Sequence, residues 1–224
     1  MQFDRTEMLI GKEAVKKLQN SHVAVFGIGG VGGFAVEALA RAGIGQIDII
    51  DFDTVDVTNI NRQIIATHST VGKKKVDVFK KRILDINPNC KVETFDVFYD
   101  ESNANNFNLS KYDYIVDAID SVKSKTLLIK NAYASNTKII SAMGAGNKLS
   151  ATSFEVCTIS KTSVCPLARV MRKQLKDLNI TDLKVVYSKE SPVVTESNIT
   201  GSMPYAPGIM GLIIASEVIN DLIK

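Results

Sequence analysis

One glycine-rich loop between two apolar runs limits what this chain can fold into more than any other feature. Val23-Ala24-Val25-Phe26 leads into Gly27-Ile28-Gly29-Gly30-Val31-Gly32-Gly33, an amphipathic stretch reaches Ala42, and Ile47-Asp48-Ile49-Ile50-Asp51-Phe52-Asp53 follows. This order predicts strand, turn, helix and strand. Gly27, Gly29 and Gly32 carry the G-x-G-x-x-G spacing, in which glycines permit the tight turn and let a phosphate reach backbone N–H groups at a helix N-terminus. Asp51 follows Gly32 at about the interval of the acid that binds a ribose in dinucleotide sites. Taken alone, the motif favours a nicotinamide-dependent dehydrogenase.

The 224 residues, 45% hydrophobic and 23% charged, are expected to form one globular domain spanning 1–224. Lys and Arg total 27 against 24 Asp and Glu, a net +3 that permits an anionic partner without demanding one. Cys90, Cys157 and Cys165 are far apart and never form a C-x-x-C pair. Neither a disulfide framework nor a zinc knuckle is written here, and a reducing cytoplasm is the expected setting. The start Met1-Gln2-Phe3-Asp4-Arg5 has no basic-then-apolar leader pattern, and no segment is expected to span a bilayer.

Along the chain, Met8, Leu9, Val15 and Leu18 are expected on one face of a short helical region broken near Gly11. Phe34, Ala35, Ala38, Leu39 and Ala42 mark the helix after the loop, which Gly43 and Gly45 stop. Residues 54–70 are polar and irregular, and Val71, Val76, Phe79, Ile83 and Ile86 then predict a helix ended by Asn87-Pro88. Strands are expected at 91–95, 112–117 and 138–142, with a helix over 122–135 and a second glycine turn, Gly144-Ala145-Gly146-Asn147. Further strands at 154–159 and 184–187, a helix over 166–177 and a closing helix over 207–223 complete the pattern. The polar stretch 189–203 is too long for an ordinary connection and reads as a lid, a substrate loop or disorder. The expected fold class is α/β: a Rossmann-like, doubly wound, largely parallel sheet with helices on both faces. Residues 1–148 would form the nucleotide-binding core, and 149–224 a C-terminal extension of the sheet serving substrate or dimer contacts.

Three polar clusters argue for a triphosphate rather than a dinucleotide: Asn59-Ile60-Asn61-Arg62-Gln63, Thr70-Val71-Gly72-Lys73-Lys74-Lys75 and Ala118-Ile119-Asp120-Ser121. A triphosphate under attack needs cations and metal-binding oxygens that an NAD pyrophosphate does not. With Phe3-Asp4-Arg5-Thr6-Glu7, Asp51-Phe52-Asp53, Thr58-Asn59, Asn61-Arg62-Gln63, Ala118-Ile119-Asp120-Ser121-Val122 and Gly144-Ala145-Gly146, the chain resembles the adenylating superfamily. That superfamily includes the activating enzymes for ubiquitin-like proteins and sulfur carriers. Within it, the likeness is greatest to the branch that dehydrates threonylcarbamoyladenosine in tRNA, and Pro166-Leu167-Ala168 and the closing helix extend it.

The resemblance implies ATP and Mg²⁺ as cofactors, tRNA carrying threonylcarbamoyladenosine as substrate, a homodimer, and sulfur-transfer proteins as further partners. It also implies roles for individual residues. Asp51, with Asp53 beside it in the cofactor site, would take the ribose hydroxyls, and Gly27, Gly29, Gly30 and Gly32 would form the phosphate cradle. Asn59, Arg62 and Lys75 would contact the triphosphate, with Gln63 supporting Arg62. Asp120 would hold Mg²⁺ near the α-phosphate, and Arg5 would reach across the dimer as an arginine finger. The plain alternatives are Asp51 as a strand-end cap, Lys75 as a solvated lysine, Arg62 in a loop salt bridge and Arg5 as a loose terminal charge. The reaction implied is activation of the carboxylate of N6-threonylcarbamoyladenosine as an acyl-adenylate, followed by ring closure.

Arg169, Arg172, Lys173 and Lys176 share one face of the helix after Pro166, opposite Leu167, Val170, Met171 and Leu178. They are expected to contact the tRNA, the alternative being a solvated helix face. Lys73, Lys74, Lys80, Lys81 and Arg82 form a second positive region. Cys165, at a helix start, reads either as a thiolate nucleophile or as an ordinary small residue; Cys157 and Cys90 read as packing or surface residues. His22 and His68 are too separated for a metal pair. Two rival readings remain. Activation of a sulfur-carrier C-terminus is opposed by the missing C-x-x-C pairs, and a non-catalytic nucleotide-binding or NAD-dependent protein is opposed by Arg62, Lys75 and Asp120.

Overall fold

The strands in the computed structural model, which describes residues 2–196 and 199–224, are β1 His22–Phe26, β2 Gln46–Ile50, β3 Lys91–Phe95, β4 Tyr114–Asp117, β5 Ile139–Ala142, β6 Phe154–Thr158 and β7 Lys184–Ser188. They form one sheet in the order β3-β2-β1-β4-β5-β7-β6, parallel throughout except that β6 runs antiparallel to β7. The helices are α1 Asp4–Ile10, α2 Lys12–Asn20, α3 Gly32–Ala42, α4 Lys75–Ile86, α5 Val122–Ala134, α6 Pro166–Asp177 and α7 Ala206–Ile223. The expected mixed α/β architecture is therefore present. The order reverses between β1 and β4, and the carboxyl ends of those two strands flank the crevice where such sheets bind ligands.

Strand β4 and residues Val23–Phe26 of β1 are buried on both faces, which is why they read as continuous apolar runs rather than alternating ones. Residues of α2, α3, α4 and α7 build the core on one face of the sheet; α5 and α6 build the other. Gly11, with φ 84°, breaks α1 from α2 as expected. The two do not share one apolar face, however: Met8 and Leu9 are 84% and 85% exposed while Val15 and Leu18 are buried.

Close approach explains two glycines. A methyl on Gly32 would collide with the Gly27 carbonyl oxygen, and one on Gly211 with the Val31 carbonyl oxygen. The first glycine lets the loop turn directly into α3; the second lets α7 lie hard against it. By length and composition α7 is apolar enough to cross a bilayer. Its apolarity is used in the core instead, where Met210, Ile214, Ala215 and Val218 are buried.

The stretch 189–203 is not simply disordered, although Ser197 and Asn198 lie outside the described residues. Val193 N donates to the Asn147 carbonyl at 2.8 Å and Gly201 N to Asn147 Oδ1 at 2.7 Å. The Glu190 carboxylate accepts from the backbone of Leu149 and Ser150, each at 3.0 Å. The second glycine turn thus pins both flanks of the strap.

Charged pairs set the remaining geometry. Arg82 clamps Glu37 of α3 at 2.6 Å and Lys74 meets Asp96 at 3.1 Å, so the expected positive region on α4 is partly neutralised. The fully buried Lys125 Nζ donates to Asp117 Oδ2 at 2.8 Å, to Ser141 Oγ at 3.1 Å and to the Ala142 carbonyl at 3.0 Å. At the opposite edge of the sheet, Asp221 of α7 accepts from Lys184 at 2.5 Å and from Tyr114 OH at 2.9 Å.

Partial burial pulls the Asp221 carboxyl up, but Lys184, Lys224 and Tyr114 outweigh it and bring its pKa to about 2. A carboxyl whose folded pKa lies below its unfolded value contributes stability above the unfolded value, and that stability is lost as pH falls through the folded one. Asp221→Asn should therefore lower stability by a constant amount above about pH 4, and the deficit should shrink as pH falls towards about 2. Urea unfolding of both chains across that range checks it.

Candidate active site at the carboxyl edge of the sheet

A cleft of about 510 Å³ opens where β1 and β4 end, within the size range of small-ligand sites. Its floor is the glycine loop. Gly27, at φ 80°, makes the sharp exit from β1, a conformation that favours glycine, and packs against the Ala118 carbonyl. Gly29 and Gly30 line the cleft, whereas Gly32 is buried in the turn beneath and does not. Gly32 is thus a residue of the fold rather than of the cradle surface.

Asp51 stands at the end of β2 with both oxygens engaged, accepting from Ile28 N and Asp53 N, each at 2.9 Å. The strand-end cap reading is therefore true of Asp51, but the residue also lines the cleft. Burial pushes its carboxyl above the usual range, against the pull of Lys75 and of the two backbone donors. Lys75 is no solvated lysine: it is 4% exposed, and its Nζ lies 2.6 Å from Asp53 Oδ2 and 4.0 Å from Asp51 Oδ1.

The irregular segment after β2 supplies Asn59, Arg62 and Gln63. Asn59 Oδ1 accepts from Asp56 N at 3.1 Å in a capping box, so its amide nitrogen is the donor left for a ligand. Arg62 Nη1 donates to the Thr58 carbonyl at 2.8 Å and to Asn61 Oδ1 at 2.9 Å. Those partners, not Gln63, position the guanidinium, which corrects the expected support. Gln63 instead carries a buried Oε1 with no hydrogen-bond partner. An orphaned acceptor in a cleft wall fits a ligand that brings N–H or O–H donors, as the nucleoside of ATP does.

Asp120 is exposed on the cleft's other lip, after β4. Among the described residues no three His, Cys, Asp or Glu side chains cluster as a metal cage. A single carboxylate fits Mg²⁺ held jointly with phosphate oxygens, the ordinary arrangement for that ion. Arg5 lies on α1 and does not line the cleft of its own chain.

Sequence reasoning missed several residues. Phe52 and Phe98 meet edge to face at 5.0 Å on the cleft rim, and Thr200, Gly201 and Ser202 of the strap close another side. The signal for Phe52 was its place between Asp51 and Asp53; nothing local marked Phe98. The stripe on α6 lies outside the cleft, and its geometry differs from expectation. Ala168, Met171 and Leu175 are the buried face, Val170 and Leu178 are exposed, and Arg172 is tied to the Thr162 carbonyl at 2.8 Å. Cys165 is 2% exposed behind the wall formed by Gly144 and Leu167, and it does not line the cleft. Cys90 is buried, its thiol pushed up to about 11, and burial also raises the half-buried Cys157.

A glycine-loop α/β sheet with arginine, lysine and aspartate converging above the loop defines a nucleotide-binding, adenylating class of protein. The ThiF family profile matches residues 3–224, and the chain belongs to that family. It is 42% identical to the tRNA threonylcarbamoyladenosine dehydratase of Bacillus subtilis, over all of this chain and 95% of that protein. The E. coli tRNA N6-threonylcarbamoyladenosine dehydratase solved with AMP superposes with a TM-score of 0.94 at 36% identity, covering 99% of this chain and 93% of that one. The same E. coli enzyme solved with ATP gives 0.93 at 35% identity with the same coverage.

The two glycines should separate fold from binding. A methyl on Gly29 would meet only the Gln63 amide, Nε2 at 3.6 Å and Cδ at 3.9 Å, both ordinary contacts. Gly29→Ala should keep the wild-type melting temperature while weakening ATP binding by about tenfold or more, because the methyl occupies the approach to the loop N–H groups. Gly32→Ala should instead lose several kcal/mol of stability, on the order of a core overpacking or strain mutation. Thermal melts and calorimetric ATP titration distinguish them.

Proposed function

We propose that this chain uses ATP to dehydrate N6-threonylcarbamoyladenosine in tRNA, activating its carboxylate as an acyl-adenylate and closing the side chain into a ring. The observation that carries the proposal is the convergence of Arg62 and Asp120, from two separate loops, and Lys75, from the start of α4, over the glycine floor. The extent of the likeness to named dehydratases supports the choice of substrate.

In the first step a carboxylate oxygen of the substrate attacks the α-phosphorus and pyrophosphate leaves. A nitrogen or oxygen of the same group then attacks the acyl carbon, AMP leaves, and a proton passes to solvent. No enzymic nucleophile is needed, which agrees with the burial of Cys165 outside the cleft. The protein's part is to orient the attack and to place charge beside the phosphates. Arg62 and Lys75 neutralise phosphate oxygens, Asn59 donates from its amide, and Asp51 takes the ribose. Asp120 would hold Mg²⁺, which supplies charge neutralisation at the phosphates when bound.

Charge counting supports both the cation and a second chain. Asp51, Asp53 and Asp120 line the cleft against Arg62 and Lys75, three carboxylates to two cations among the described residues. A polyanion held there needs further positive charge. Mg²⁺ on Asp120 provides part of it, and Arg5 of a second copy in a homodimer provides more. The three free cysteines suit a reducing, cytoplasmic setting. Against activation of a sulfur carrier, the cysteines form no C-x-x-C pair for the zinc expected of that reading.

Incubation with ATP, Mg²⁺ and tRNA bearing threonylcarbamoyladenosine, followed by nucleoside mass spectrometry, should show ATP-dependent loss of one water. An unchanged nucleoside on competent tRNA would sink the proposal. Arg62→Ala and Asp120→Ala should each abolish turnover with unchanged circular dichroism, since both lie on loops.

Mixed dimers test the trans role of Arg5. Combining Arg5→Ala and Arg62→Ala chains should restore activity in the one site per dimer that keeps both arginines. Verified mixed dimers that stay inactive would remove Arg5 from the site.

A further inference from the structure

The surface carries two basic regions, and they differ in how many of their cations are already satisfied. On the α4 side Arg82 is bound to Glu37 and Lys74 to Asp96, and Asp77 and Asp85 are interspersed on the helix itself. On the α5–α6 side, Lys123, Lys130, Arg169, Lys173 and Lys176 are all exposed, and none makes an ion pair or a side-chain hydrogen bond among the described residues. α5 carries no acidic residue and α6 only Asp177. The two helices lie side by side on one face of the sheet, joined by Thr126 Oγ1 donating to Gln174 Oε1 at 2.5 Å. Arg172 is the exception, committed to Thr162 through both its carbonyl and its hydroxyl.

Position matters as much as charge. Ser124 of α5 and Leu167 of α6 both line the cleft, so the free cations begin within a turn of its mouth and run outward from it. Lys123 to Lys130 is seven residues, as is Arg169 to Lys176, so each row extends about 10 Å along its helix axis. Five unpaired cations in two rows suit a long, regularly charged polyanion. They do not suit the core of a protein interface, where lysine is depleted.

We infer that the α5–α6 face, through Lys123, Lys130, Arg169, Lys173 and Lys176, is the surface along which the tRNA backbone lies while its modified nucleotide enters the cleft. This rests on the dehydration proposed above. It narrows the α6 stripe read from sequence by removing Arg172, extends it to α5, and sets aside the α4 lysines.

Charge-matched variants test it. Lys123→Gln/Lys130→Gln/Lys173→Gln is compared with Lys73→Gln/Lys80→Gln/Lys81→Gln, each removing three exposed lysines and each checked for unchanged melting and ATP affinity. Binding of a fluorescent tRNA anticodon stem-loop is read by anisotropy over a range of KCl concentrations. The α5–α6 variant should weaken binding by roughly tenfold or more and flatten the dependence of log affinity on log salt, by about one unit of slope for each phosphate left unneutralised. The α4 variant should stay within about twofold of wild type. Adding Arg169→Gln and Lys176→Gln should deepen the loss. Equal weakening by both variants would show that only net charge matters, and wild-type binding by the α5–α6 variant would place the RNA elsewhere; either result overturns the inference. If the wild type dehydrates tRNA and the α5–α6 variant does so with unchanged KM for tRNA, this surface fails and the proposed reaction stands. A wild type that neither binds nor dehydrates tRNA overturns both.

Discussion

The buried pair of Lys125 and Asp117 holds together two of the loops that line the cleft, those that follow β4 and β5. Both side chains are fully buried, where an ion pair survives only if its remaining hydrogen-bonding capacity is met. Here it is met. Lys125 also donates to Ser141 and Ala142 of β5, Ser141 donates to Asp117 Oδ2 at 2.6 Å, and Asp117 Oδ1 accepts from Ile119 N at 3.2 Å. One ammonium thereby joins the end of β4, the bend that presents Asp120, and the end of β5 that leads into the second glycine turn. Losing one partner of such a pair costs about 3–5 kcal/mol, so the placement of Asp120 is coupled to the stability of the sheet.

That network also marks the boundary of what the sequence reveals. The strand-turn-helix-strand of residues 23–53 could be read because glycine spacing and apolar runs are local signals, and so could the helix stop at Asn87-Pro88. Asp51, Arg62, Lys75 and Asp120 could be picked out because their residue types and intervals carry chemistry. Asp117 and Lys125 could not: a lysine in the second turn of a helix looks solvated until the fold closes over it. The same holds for Phe98 and for Thr200, which reach the cleft only through tertiary placement. Gly32 shows the reverse error, a motif residue whose job is close packing rather than contact with ligand. On α6 the periodicity was correct but its phase was not. The buried face carries Ala168, Met171 and Leu175, rotated from the expected Leu167, Val170, Met171 and Leu178.

The strap illustrates how a polar segment can be fixed without secondary structure. Asn147, at φ 55° in the second glycine turn, accepts through its side chain from Gly201 and through its carbonyl from Val193. Asn tolerates this left-handed conformation better than most residues, and its side chain then substitutes for a strand partner. Gly146 beside it has no room for a methyl, because Thr200 packs there. The turn that ends β5 is therefore also the clamp for the strap that bounds the cleft, and one short segment sets two of its walls.

Electrostatics links these parts. In the cleft of a single chain Lys75 is already half satisfied by Asp53, and Asp51 is held in a setting that disfavours its charge. A triphosphate entering this cleft competes with Asp53 for the same ammonium, so binding exchanges one Lys75 partner for another rather than filling an empty cationic pocket. Such an exchange returns little net electrostatic energy, because the lysine was never unpaired. Favourable energy is left to groups that have no partner inside the protein, such as the amide nitrogen of Asn59 and the backbone of the loop at Gly29 and Gly30. Three carboxylates against two cations in the cleft lining, with Lys75 already paired to Asp53, are thus what any anionic ligand has to contend with here, and they are residues that the glycine motif alone does not distinguish.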